Sequence, residues 1–132
     1  MIRADEFMPY DLENALALDG KFDLAISMEV AEHLREESAD TFVGSLCSAS
    51  DVILFSAAHP GQGGDNHLNE QPMEYWQEKF SARGFRHIEI RPAFKEYWKI
   101  EWWYRDNMAL FVKEECYKEI YLKIEKLLSA EK

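Results

Sequence analysis

The sequence has few cysteines, few basic residues and no long apolar run. Its 132 residues include two cysteines, and 15 Lys and Arg stand against 25 Asp and Glu, which gives a net charge of -10. An acidic chain is repelled by phosphate backbones, so nucleic acid is not an expected partner. No apolar stretch approaches the roughly 20 residues that span a bilayer, and the opening MIRADEFMPY does not read as a signal peptide. We therefore expect a cytoplasmic protein without a membrane partner.

The two cysteines, Cys47 and Cys116, both fall within predicted helices. In a reducing cytoplasm such residues are expected as buried free thiols. A disulfide or a catalytic thiol is the alternative.

The apolar content points to one folded domain. Hydrophobic residues make up 47% and aromatic residues 14% of the chain, which is enough for a core in a domain of this length. Short apolar runs at 21–30 and 51–58 predict strands, and a helix capped by Ser38 is predicted between them. Its apolar face follows helical spacing and consists of Ala39, Phe42, Val43 and Leu46. This strand–helix–strand pattern predicts parallel strands joined by a right-handed crossover.

The second half repeats the alternation of helix and strand. A helix is predicted from Pro72 towards Gly84, because proline suits a first turn and glycine suits the position after a last turn. Strands are predicted at FRHIEIRP and at 107–113, and an amphipathic helix at 114–130. The apolar stripe of this last helix is Tyr117, Ile120, Tyr121, Ile124, Leu127 and Leu128. The whole chain, residues 1–132, is thus predicted to be a single α/β domain.

Polar residues follow both strands of the first unit, where sheets of this kind bind ligands. After the first strand, EVAEH places Glu29 and His33 on one helix face, which allows a metal site, although the regular zinc-helix spacings are absent. The alternative is that Glu29 and Glu32 are solvated residues of a first turn. Because the segment ends a strand, we favour a ligand-lining role.

The loop at 57–72 after the second strand carries the densest polar cluster. His67 can act as a general base, and Asn69, Glu70 and Gln71 can fix a substrate by hydrogen bonds. The alternative is that Asn69 or Glu70 only caps the next helix. The PGQGG run lacks the pattern of a phosphate-binding loop, so its glycines are expected to allow tight turns or a close approach to the backbone.

An aromatic-rich stretch at 94–107 precedes the last predicted strand. It contains Tyr97, Trp98, Trp102, Trp103 and Tyr104. Such residues form a lid over an active site, a subunit interface or part of the core, and the sequence leaves these three alternatives open.

Several of these segments resemble class I S-adenosylmethionine-dependent methyltransferases. FDLAISMEVAEHL is similar to their fourth strand and the segment after it, and FMPYDLENALALDGKFDL to the segment before it. One subgroup of the family has a strand ending in F-S-A-A that leads into P-G-Q-G-G and H-x-N-E-Q. The closely similar segment in this sequence is DVILFSAAHPGQGGDNHLNEQ, followed by YW. WWYRDN and ALFVK resemble the closing segment of that subgroup. The resemblance covers about residues 7–113.

The resemblance implies a partial Rossmann-like fold, with a mostly parallel sheet, one antiparallel strand and flanking helices. It implies S-adenosylmethionine as cofactor and a small-molecule or sugar-like methyl acceptor as partner. The implied cofactor-binding residues are Asp11, Leu12, Ser27, Met28, Glu29 and His33. The implied substrate-binding residues are His59, Asn69, Gln71 and Trp76. His67 is the implied catalytic base, oriented by Glu70, and no metal is implied.

One departure from the family bears on both fold and function. This fold opens with a glycine-rich cofactor loop and a second strand that ends in an acidic residue. Neither has a counterpart in the sequence, which matches the family from about the third strand onward. In the family the first strand normally lies beside the fourth, so the sheet is expected to have an open edge. The chain is then expected to be either a fragment of a longer gene product or a homo-oligomer that covers this edge. Two other functions remain alternatives. One is a non-catalytic, partner-binding methyltransferase remnant, and the other is a metal-dependent hydrolase using His33, His59 and His67.

Overall fold

A mixed four-stranded sheet forms the centre of the protein. The computed structural model describes residues 2–130, and its strands are β1 (Ala25–Met28), β2 (Val52–Ser56), β3 (Phe85–Ile88) and β4 (Ala109–Lys113). Their order across the sheet is β1-β2-β4-β3. The β1 and β2 strands are parallel, whereas β4 is antiparallel to both of its neighbours. The prediction of an α/β fold with one antiparallel strand is confirmed, but only one of the neighbouring strand pairs is parallel because β4 lies between β2 and β3.

Helices cover both faces of this sheet. They are α1 (Ala39–Ala49), α2 (Met73–Ser81), α3 (Arg91–Phe94), α4 (Trp102–Asn107) and α5 (Glu114–Ala130). Short 3-10 turns at Ala4–Glu6, Ala31–His33 and Glu36–Ser38 complete the described elements. Among residues 2–24 there is no strand, and a single bridge joins Phe22 to Ser50. None of the helices within 2–130 has the length and apolar character that crossing a bilayer requires.

The first face of the sheet packs against α1 and α2 through an aromatic core. Phe55 of β2 and Phe111 of β4 are fully buried, and the ring of Phe111 stacks on that of Phe80 with centroids 3.9 Å apart. The predicted face of α1 is confirmed, since Phe42 and Val43 belong to this core. Aromatic contacts of this kind add to the stabilisation that burial provides.

The opposite face packs against α5. Tyr117, Ile120 and Ile124 contact the apolar residues of β3 and β4, as the predicted stripe requires. Tyr121 is 36% exposed and Leu127 is 68% exposed, so these two residues of the predicted stripe lie outside the core. Strand residues alternate between the two faces, because successive side chains of a strand point in opposite directions.

Element boundaries differ from the sequence-based ones in physically interpretable ways. The strand predicted at 21–30 is confirmed but spans only Ala25–Met28, because Glu29 has a positive φ of 53° that turns the chain out of the sheet. Ser38 precedes α1 as predicted, yet its side chain makes no capping hydrogen bond because a 3-10 turn leads directly into the helix. Pro72 occupies the N-cap of α2 rather than its first turn.

The outer edge of β1 is open. No other strand within residues 2–130 pairs with it, and β2 is its one strand neighbour. Ile26 is 62% exposed, and Phe22 and Leu24 before it are also exposed. An uncovered strand edge with apolar side chains is a ready surface for pairing with another chain.

Candidate functional site

Two segments meet at the carboxyl ends of β1 and β2. The N–H of Glu29 donates to both the carbonyl oxygen and Oγ of Ser56, at 3.1 and 3.0 Å. These bonds hold the first residue after β1 against the last residue of β2. The turn Ala31–His33 and the loop after β2 therefore lie side by side, as the position of the two strands predicted.

Glu70 organises the glycine-rich loop. Its carboxylate accepts hydrogen bonds from the N–H groups of Gly61 at 2.8 Å and Gly63 at 3.0 Å. The same carboxylate lies 2.8 Å from Nδ1 of His67. The hydrogen bonds from His67 and the two glycines hold the pKa of Glu70 below its usual range. Glu70 is therefore ionised at neutral pH, and the His67 Nδ1–H is the donor.

Gly64 allows a close approach between this loop and His67. A Cβ atom at residue 64 would lie 2.4 Å from Nε2 of His67, which is closer than a real side chain tolerates. The histidine ring therefore occupies space that only glycine leaves open. This is one reason for a glycine in the loop that does not involve phosphate binding.

A second polar network joins the loop to α4. Gln62 Nε2 donates to Glu29 at 3.1 Å. Asn107 Nδ2 lies 3.2 Å from the other oxygen of Glu29 and 2.7 Å from Oε1 of Gln62. Asn107 is buried at the end of α4. The three side chains thus connect the segment after β1, the glycine-rich loop and the aromatic-rich stretch.

Glu32 is a fully buried acidic residue in this region. Its backbone carbonyl accepts hydrogen bonds from the N–H groups of Leu68 at 2.7 Å and Asn69 at 3.0 Å. Neither of its carboxylate oxygens accepts a hydrogen bond from a described residue. Burial raises the pKa of Glu32, and the negative charge of Glu29 adds to this effect. The alternative in which Glu32 is solvated is therefore wrong.

A cleft of about 370 Å³ opens between these segments. The rings of His33 and His67 meet edge to face in it, with centroids 4.8 Å apart. Candidate ligand atoms of Glu32, His33 and His67 lie within 4.8 Å of one another. The residues that line the cleft are Glu29, Glu32, His33, Gln62, Gly63, His67, Trp102 and Trp103.

The structure brings several residues that the sequence singled out into or beside this cleft. Glu29, His33 and His67 line it, and Glu70 contacts His67 from the loop. Trp102 and Trp103 line it as well, which accords with the lid alternative for these two aromatic residues. Tyr104 packs against the core beside α5 instead, and Trp98 is 80% exposed.

Other candidate substrate-binding residues lie elsewhere. Trp76 is 1% exposed and packs against Phe55, because the apolar face of α2 turns towards the sheet. His59 is exposed, and its Nδ1 lies 3.1 Å from the carbonyl oxygen of Pro60. Asn69 is buried and its Oδ1 accepts a hydrogen bond from Gln71 at 2.7 Å. These four predicted residues are not among those that line the cleft.

The remaining candidate cofactor residues divide between surface, core and strand end. Asp11 stabilises its own turn, with its carboxylate accepting from Glu13 N–H and Asn14 Nδ2. Leu12 packs on the first core and Met28 on the second. Ser27 is buried at the end of β1, and its hydroxyl has no hydrogen-bond partner among the described residues.

The sequence did not predict Gln62 and Asn107 as parts of the site, and it did not predict the burial of Glu32. Glu32 lies inside the EVAEH segment, but helical spacing alone does not show that a 3-10 turn buries this residue. Gln62 lies between two glycines, and the sequence pattern there indicated backbone conformation rather than a side-chain contact. Asn107 follows a run of aromatic residues, and a polar residue at the end of such a run is the one available sequence signal.

No family model, no curated protein and no solved structure matches the chain.

Proposed function

We propose that the protein is a methyltransferase-type domain whose cleft at the carboxyl ends of β1 and β2 binds S-adenosylmethionine and a small, polar methyl acceptor. The observation that carries this proposal is the position of the cleft. It opens at the carboxyl ends of two parallel strands and is lined by the two segments that carry the resemblance, EVAEH and PGQGGDNHLNE. The single antiparallel strand supports the same family, because the resemblance implies one such strand.

The end of β1 fits the cofactor side of the cleft. Glu29 and His33, which follow β1, line the cleft, whereas Ser27 and Met28 are not among its lining residues. The Glu29 carboxylate at the next turn is held by Gln62 and Asn107, so it is positioned before any ligand arrives. An oriented carboxylate suits the cationic ammonium or sulfonium group of such a cofactor. S-adenosylmethionine supplies an electrophilic methyl group when bound.

His67 fits the acceptor side. Its Nδ1–H donates to the ionised Glu70, which leaves Nε2 as the basic nitrogen. A base held in one tautomer can take a proton from an acceptor hydroxyl as the methyl group is transferred. Methyl transfer is an in-line displacement, so the fixed positions of the loop and of Trp102 and Trp103 contribute by orienting the acceptor.

A partner-binding module is the second candidate function, and the open edge of β1 favours it. Leu24 and Ile26 are exposed beside an unpaired strand edge. Another chain that adds a strand there would cover these side chains and satisfy the free backbone groups. The same contact would also extend the sheet next to the proposed cofactor side, so the two candidate functions are compatible.

Calorimetric titration of the full chain with S-adenosylhomocysteine tests the proposal. We expect saturable binding that Glu29→Gln weakens by about tenfold or more, since a hydrogen bond to a charged group contributes about 1.5–3 kcal/mol and about 1.4 kcal/mol is tenfold. Glu119→Gln is the matched control, because Glu119 lies on α5 and pairs with Lys123 away from the cleft. Equal binding by both variants, or no binding at millimolar ligand, would contradict the proposal.

A further inference from the structure

We infer that Glu32, His33 and His67 form a binding site for a divalent transition-metal ion of the zinc type. The two imidazoles and the carboxylate place candidate ligand atoms within 4.8 Å of one another at the wall of the cleft. The inference stands on this geometry alone and does not rest on the methyltransferase proposal.

The buried carboxylate of Glu32 is the first argument. Its side chain is 0% exposed, it lines the cleft, and neither oxygen accepts a hydrogen bond from a described residue. A buried acidic group without partners is costly, and such groups in proteins are usually paired or coordinate metals. Glu29 also lines the cleft, so a second acidic side chain lies on the same side of the candidate site.

The orientation of the two histidines is the second argument. Nδ1 of His67 is held by the Glu70 carboxylate at 2.8 Å, and Nδ1 of His33 lies 3.3 Å from the carbonyl oxygen of Asn66. In each ring Nε2 is therefore the nitrogen left for a ligand. Metal-binding histidines commonly use their other nitrogen in this way, with a carboxylate or carbonyl behind it. Gly64 places no side chain over the Nε2 edge of His67.

The ligand set selects the class of metal. Two imidazole nitrogens and one carboxylate oxygen suit Zn²⁺ and similar transition metals, whereas Mg²⁺ and Ca²⁺ prefer oxygen ligands. Metal–ligand distances of about 2.0–2.2 Å imply ligand atoms about 3.4 Å apart in a tetrahedral site. The candidate ligand atoms now lie within 4.8 Å of one another, so the three side chains must draw closer together to bind an ion. A tetrahedral ion held by these three ligands would keep a fourth position for water or another ligand.

Titration of the tag-free, full chain with Zn²⁺ alone tests this site, by calorimetry and by native mass spectrometry. We expect one ion per chain. We expect His33→Ala to weaken binding by about tenfold or more, because even the loss of a residue that hydrogen-bonds to a metal ligand has an effect of that size. Glu32→Gln keeps the shape of the side chain and should have the same effect. His59→Ala is the matched control, because His59 is an exposed histidine outside the cluster and should leave binding unchanged.

Two results would overturn the inference. One is the absence of stoichiometric Zn²⁺ in the wild-type chain, and the other is equal binding by the wild type, His33→Ala and His67→Ala. If Glu32→Gln fails to fold by circular dichroism, the exposed His33 still decides the question. The titration contains no S-adenosylhomocysteine, so its failure is distinguishable from failure of the proposed methyltransferase function.

Discussion

Oε1 of Glu70 lies 2.8 Å from Nδ1 of His67, and the same carboxylate binds the backbone of Gly61 and Gly63. One side chain thus fixes both the fold of the glycine-rich loop and the tautomer of the histidine in the cleft. The loop carries a glutamate at this position for a structural reason, and the same contact turns Nδ1 of His67 towards Glu70.

Replacing Glu70 should loosen the loop. In Glu70→Gln the neutral amide can accept only one of the two backbone hydrogen bonds with its oxygen, and the hydrogen bond from His67 loses its ionised acceptor. We expect the amide hydrogens of Gly61 and Gly63 to exchange at rates approaching those of unprotected amides, as measured by NMR hydrogen exchange. Glu74→Gln, at an exposed position in the first turn of α2, is the control. Unchanged protection of both glycines in Glu70→Gln would contradict this role.

The aromatic core should respond strongly to truncation at β4. Phe111 is fully buried, stacks on Phe80 and contacts Phe55. We expect Phe111→Ala to lower the free energy of unfolding by about 3–5 kcal/mol in chemical denaturation, because it removes buried surface and leaves a cavity. Leu122→Ala, at an exposed position on α5, should change it by about 0.5 kcal/mol or less. Similar effects of the two substitutions would show that the described packing is incorrect.

The thiol of Cys47 should be unreactive in the folded protein. It packs against the first core, and burial raises its pKa to about 12. The thiolate is the reactive form, so at pH 7 only on the order of one molecule in 100,000 carries it. Brief treatment with iodoacetamide, followed by peptide mass spectrometry, should leave Cys47 unmodified in buffer and modify it in guanidinium. Rapid alkylation under native conditions would mean that Cys47 is not packed against the first core.

The open edge of β1 should promote self-association. Ile26 is 62% exposed on a strand whose outer backbone groups are unpaired within the described chain. We expect the wild-type chain to dimerise with increasing concentration in analytical ultracentrifugation, and Ile26→Lys to remain monomeric, since a charged residue on an edge strand discourages pairing. Leu122→Lys, an exposed leucine on α5, should behave as the wild type. A wild-type chain that stays monomeric at high concentration would argue against this interface.

The strands and long helices could be predicted because their apolar periodicity reflects burial. Ala39, Phe42 and Val43 follow helical spacing and are all buried against the sheet. The order of the strands could not be predicted in this way. Nothing in the local sequence shows that β4 inserts between β2 and β3. Strand ends were also misplaced where a single backbone angle, such as φ of Glu29, decides them.

The site was partly predictable because polar segments follow neighbouring strands. Glu29, His33 and His67 follow two strands whose carboxyl ends share an edge, and a general rule of such sheets brings them together. Trp76 and Glu32 illustrate what the rule leaves out. A tryptophan next to a polar loop resembles a substrate contact, but its helical position beside Phe80 buries it in the core. The burial of Glu32 depends on a 3-10 turn that the sequence does not distinguish from a solvated helix start.

The most direct test of the proposed cofactor site is a map of backbone amide shifts of the ¹⁵N-labelled full chain during titration with S-adenosylhomocysteine. We expect saturable shifts, with a dissociation constant of up to about 1 mM, confined to residues 27–33, 61–67 and 102–103 around the cleft. Absence of shifts at millimolar ligand, or shifts centred instead on the apolar groove of Ile90, Phe94 and Leu127, would contradict the placement of the site.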